Sequence, residues 1–169
     1  MAQKNWIFSL VAGIVGLASL LTPFASERAI DGMGVLLYSL DQWWFGFNTW
    51  YSHPITNTSF WTGNPLYLIP EIITFIGIVL SNCIVLIIAA RLPNKENPTS
   101  KGLIGGAIGL LVSSIALIVS FHIVSLIGLG YSYWREMSPG FALIWQFIGS
   151  ILVFFGYYVG KARSKAISF

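Results

Sequence analysis

Four stretches of this chain carry no charged residue, and the basic residues between them fall almost entirely on one side of any membrane those stretches cross. The stretches are Asn5–Ser26, Ile72–Ala90, Gly102–Trp134 and Met137–Gly160. A hydrocarbon core about 30 Å thick takes roughly 20 helical residues, and each stretch contains such a segment. If all four span, Lys4, Arg91, Lys95, Lys101, Lys161, Arg163 and Lys165 share one face, and Arg28 and Arg135 lie on the other. The positive-inside rule then puts both termini in the cytoplasm. The expected fold class is an all-α membrane protein, a bundle of four transmembrane helices in one integral domain over residues 1–169. Its spans are about 6–24, 66–91, 102–129 and 140–160, and an outer loop over about 25–65 caps the bundle.

Composition excludes the main alternatives. With 56% apolar and 9% charged residues, a soluble domain would have too little polar surface to cover itself. The net charge of +3 does not point to nucleic acid, because no basic stripe with interleaved aromatics exists. The basic face suits anionic lipid headgroups instead. One cysteine, Cys83 inside the second run, precludes an intramolecular disulfide. Lys4 and the apolar residues after Trp6 are reminiscent of a signal peptide, but the run to Phe24 is longer than a typical h-region and reads as a retained first helix. The expected location is a plasma or cytoplasmic membrane.

Small residues mark close helix approaches, which replace the hydrophobic drive that lipid removes. Gly13 and Gly16 in the first span, and Gly105 and Gly109 in the third, are the expected packing positions. The outer loop is unusual. From Gln42 to Pro70 it has no charge and holds Trp43, Trp44, Trp50 and Trp61 among other aromatics. A solvated loop does not carry such a surplus without an interaction or membrane surface to use it. Three structures would absorb the rings: an amphipathic helix over Met33–Tyr51 lying in the interface, a small sheet with turns near Asn48, Pro54 and Asn57, or docking to a partner through the four tryptophans.

Polar residues within the spans are few. Counted along the helices at 1.5 Å per residue, Glu71, His122 and Gln146 fall at about 6, 10 and 9 Å from the outer ends, in one layer. Ionisable groups at such depth usually face the bundle or a cavity. The layer reads either as a structural hydrogen-bonded clasp or as a pocket that binds a polar head or relays a proton, with Gln146 orienting His122. No metal-ligand spacing occurs, and His53, His122 and Glu71 make at best a remote metal set. No nucleophile elbow or phosphate loop exists, so neither a catalytic residue nor a cofactor is expected. Asn57-Thr58-Ser59 is a formal glycosylation sequon on the outer side.

Gly13-Ile-Val-Gly16-Leu-Ala-Ser-Leu-Leu-Thr-Pro23 and Glu136 with Gly140-Phe-Ala-Leu-Ile-Trp-Gln-Phe-Ile-Gly149 resemble the first span and fourth-span entry of the claudin-like tetraspan superfamily. Four spans, a long aromatic first outer loop and a short second one resemble it also. That resemblance implies an outer β-sheet and a junction-forming role. The chain departs from the family in having Trp43-Trp44-Phe45-Gly46-Phe47 in place of Gly-Leu-Trp, and in lacking two loop cysteines.

The expected function is non-enzymatic: a membrane scaffold, accessory subunit or cell-surface interaction protein whose loop meets lipid, further copies of the chain or other membrane subunits. The alternative is a membrane enzyme or transport subunit built on the Glu71, His122 and Gln146 layer.

Overall fold

The computed structural model describes residues 6–52, 56–61, 65–92 and 101–167, with backbone alone at 56–58, 60–61 and 162–167. Lys4, His53, Pro54, Lys95 and the side chains of Asn57, Trp61, Arg163 and Lys165 lie outside that description. The first helix, α1, covers Trp6–Ser19, 14 residues, and ends five short of the expected Phe24. Leu20, Leu21 and Thr22 donate to carbonyls only three residues back, which tightens the last turn. Pro23 has no N–H to continue it, and Phe24 N–H turns away to Gln42 O at 3.0 Å.

Helices α2 (Pro65–Arg91), α3 (Lys101–Leu129) and α4 (Phe141–Ile167) follow. These three are long and apolar enough to cross a membrane, whereas α1 is too short by that measure. The helices run alternately up and down, and each packs on two neighbours, α1 and α3 both lying between α2 and α4. The buried positions explain why. Ser9, Ala12, Gly16 and Ser19 of α1, and Leu103, Ala107, Leu110, Ser114, Leu117 and Phe121 of α3, alternate steps of three and four. This is the seam of left-handed packing. Small and polar residues face inward, while Ile73, Leu80, Val112, Ile115, Ile151 and Phe155 project outward. Lipid, not water, suits such a surface.

The glycines hold the seam closed. A Cβ on Gly13 would meet the Leu86 side chain at 2.6 Å, and one on Gly109 would strike the Ser81 hydroxyl. Gly105, expected to do the same, faces open space; its neighbour Gly106 takes the role, since a Cβ there would lie 2.6 Å from Val85 Cγ2. Helical phase, invisible in a run of glycines, decides which one faces inward.

The segment after α1 corrects the all-α expectation, since it forms strands. β1 (Ala25–Ile30), β2 (Leu36–Gln42), β3 (Phe47–Ser52) and β4 (Thr56–Trp61) make an antiparallel sheet, joined by the two-residue β5 (Ser138–Pro139) in the order β4-β3-β2-β1-β5. Neither an interfacial helix over Met33–Tyr51 nor a turn at Asn48 forms: Asn48 pairs with Gln42 and Phe60 inside the ladder. Asp31 sets the first turn, its Oδ1 accepting from Met33 and Val35 N–H at 2.8 Å, with Gly34 at φ 84°.

The sheet and α4 are fixed to each other by the residues just before them, Phe24 and Gly140. Gly140 N–H donates to Phe24 O at 2.7 Å, and a Cβ there would lie 2.8 Å from the Phe24 carbonyl carbon and against Pro23 O. Backbone cannot yield as a side-chain end does. Gly140→Ala is therefore expected to cost about 2 kcal/mol, read as a lower unfolding midpoint in detergent micelles.

Candidate functional site

Of the expected site residues, Glu71 and Trp44 lie where the sheet meets the bundle. Trp43 N–H donates to Phe47 O at 2.8 Å and closes a tight connection between β2 and β3. Inside it Phe45 sits at φ 63°, ψ 33°, the left-handed region, and Gly46 follows at φ 73°. A phenylalanine there costs about 1–2 kcal/mol, so the surroundings must hold it. They do. Glu71 Oε1 accepts from Gly46 N–H at 3.2 Å, and Phe75 meets both the Phe45 and Trp44 rings at centroid distances of 4.7 and 5.1 Å. Glu71 is 0% exposed, and its Oε2 has no hydrogen-bond partner among the described residues.

Trp44, expected as a contact anchor, is instead only 6% exposed and packs 5.0 Å from Phe24. Trp43 Nε1 donates to Thr49 Oγ1 at 3.0 Å, and Trp50 stacks on Tyr38 at 4.8 Å. Much of the aromatic surplus is thus spent on joining strands to each other and to helices. Tyr133 adds to the joint, donating to Gln42 Oε1 and meeting Phe121 edge-on. Burial pushes its phenol well above the ordinary value, so it remains a neutral donor. On the sheet, Glu27 accepts from Tyr38 and thereby holds that phenol above its usual range as well.

Gln146 belongs to a different network. Its Nε2 donates to Gly16 O at 2.9 Å and Ser19 Oγ at 3.0 Å, and its Oε1 accepts from Asn82 Nδ2 at 3.0 Å. This amide clasp joins α1, α2 and α4. Asn82 lies eleven residues beyond Glu71, or about 16 Å along α2. His122 belongs to a third. It is exposed on α3, with Nδ1 2.8 Å from Ser132 Oγ. No hydrogen bond links Glu71, His122 and Gln146 among the described residues, so the expected layer is not assembled, and Gln146 orients no imidazole.

The depth count failed because the helices start at different heights. Ser150 Oγ donates to Ala107 O at 2.8 Å, nine residues into α4. An equal step along antiparallel α3 reaches Ala116, so Leu117–Leu129 rise above the start of α4, Leu129 by about 20 Å. Tyr67 OH bonds Ser125 Oγ at 3.0 Å within this raised part, alongside the sheet.

Among the described residues no group of three or more His, Cys, Asp or Glu is placed to hold a metal. Compared with known protein families and with curated proteins, the chain matches none.

Proposed function

We propose that this chain is a non-enzymatic four-span membrane protein of claudin-like architecture whose sheet is an interaction surface for lipid, further copies of the chain or another membrane subunit. The spanning reading is supported by charge and height together. Arg91, Lys101 and Lys161 all lie at the bundle end away from the sheet. Twenty residues from Arg91 and from Lys101, about 30 Å, reach Glu71 on α2 and Phe121 on α3. The apolar slab therefore stops at Glu71 and just below His122. Helix α1 packs along the same seam, with Trp6 near the basic end against the cluster of Leu92 and Leu103.

The claudin-like reading is supported by the sheet itself, four strands from the first outer segment and a fifth from the second. The missing loop cysteines are replaced by non-covalent ties: the Glu71–Gly46 bond, the Gly140–Phe24 bond and the Trp44 cluster.

One observation carries the interaction role. The β1–β2 hairpin ends in exposed apolar residues, Met33 at 90% and Ile30 at 60%, beside exposed Val35, Leu36 and Leu37. Surface of that kind marks interaction sites. Crosslinking and native mass spectrometry in mild detergent should recover the wild-type chain with a second copy, a partner or retained lipid. Met33→Asp with Leu37→Asp should lose most of that association while keeping its unfolding midpoint. A wild-type chain that is strictly monomeric and free of partner and lipid sinks the proposal.

A further inference from the structure

The outward face of α3 breaks its own pattern. Val112, Ile115, Val119 and Leu126 form an exposed aliphatic stripe, and His122 sits within it. A cavity of about 480 Å³ opens there, lined by Ile118, Val119, His122, Ser132, Trp134 and Pro139. Its size suits a small-molecule site, which typically pairs apolar walls with a few fixed polar groups. The walls are tied in place: Trp134 Nε1 donates to Ile118 O at 2.9 Å, and Ser132 Oγ, which accepts from Trp134 N–H at 3.3 Å, holds His122 Nδ1. The ring's Nε2 has no partner among the described residues.

Two observations select the occupant. The cavity is continuous with the aliphatic stripe that faces lipid in the spanning reading, and Ile118–His122 lie at the edge of the 30 Å slab. Polar atoms there meet headgroups, while Ile118 and Val119 meet the upper part of an acyl chain. Arg135, next to wall residue Trp134, is exposed at this edge, and exposed Glu136 follows it.

We infer that this cavity is a phospholipid site, entered sideways from the leaflet on the sheet side. An acyl chain lies against Ile118, Val119 and Trp134, and the phosphate takes a hydrogen bond from His122 Nε2 and a charge from Arg135. The inference rests on the spanning reading given above.

The test uses the full chain in nanodiscs of dioleoylphosphatidylcholine, with dioleoylphosphatidylglycerol or dioleoylglycerol added and bound lipid counted by native mass spectrometry after ejection. The expected result is retention of both phospholipids over the phosphate-free dioleoylglycerol. His122→Ala and Arg135→Ala should each weaken retention about tenfold, as loss of one charged hydrogen bond does. Val119→Trp, an exposed position, should block it by filling the cavity. Equal retention of all three lipids, or retention indifferent to the three variants, overturns the site. So does a Val119→Cys chain that crosslinks to its own copy through the cavity, since that makes a second chain the occupant. Free inorganic phosphate competing as well as the phospholipid overturns the acyl half of the site. Failure of the spanning reading has a separate signature, because the chain would then not co-float with vesicles at all.

Discussion

Gly16→Val is expected to destabilise the bundle by about 3 kcal/mol, near the upper end for overpacking in a closed core. A Cβ at Gly16 would strike Asn82 Oδ1 and lie 2.9 Å from its Cγ. Asn82 cannot retreat freely, since its Nδ2 is held by Ile78 O at 3.1 Å and by Gln146 Oε1 at 3.0 Å. The same substitution threatens the carbonyl that Gln146 Nε2 uses. The measurement is the unfolding free energy in mixed micelles, in two backgrounds. In an Asn82→Ala chain the amide is gone, and Gly16→Val should cost less than half as much. An equal cost in both backgrounds places the clash elsewhere, for neighbours in contact are expected to couple.

Glu71→Leu is the second large effect, about 2–3 kcal/mol. It removes the acceptor for Gly46 N–H from a buried, left-handed turn. The loss should be local before it is global. Hydrogen exchange at Phe45–Phe47 should quicken by at least about tenfold, while the amides of α4 keep their protection. Glu71→Gln retains an oxygen in the same place and should recover most of the difference. If Gln and Leu exchange alike, the hydrogen bond is not what holds the turn.

The helices were legible because the outward faces of such helices need only be apolar and long in run. The expected 66–91 and 102–129 differ from α2 and α3 by one residue at their starts. The last span was also found, with α4 continuing into the basic tail to Ile167. The first was overextended, because Leu20, Leu21 and Phe24 are as apolar as the helix before them. What ends the helix is Pro23 together with the demand of β2 for the Phe24 amide.

The sheet was harder to read. Trp43–Phe47 carries one glycine and no usual hairpin pair, and its decisive residue, Phe45, adopts a conformation that sequence argues against. Glu71, 25 residues after Gly46, and Phe75 together make that conformation tolerable. The polar layer failed for a different reason. Depth along one helix was legible, but relative height between helices is set by packing pairs such as Gly16 with Asn82 and Ala107 with Ser150.

The strand order has a consequence for synthesis. β1 is the first strand made, yet its outer neighbour β5 comes from Ser138–Pro139, after three of the four helices. Chains fold from the N-terminus as they emerge, and a pairing such as Ser26 with Ser138 closes late. Until Gly140 arrives, the Phe24 carbonyl lacks the bond it later accepts, and one side of β1 is an open edge. Completion of the outer sheet therefore waits on delivery of the last helix, so a chain stalled or truncated before Ser138 would emerge with its sheet unsealed.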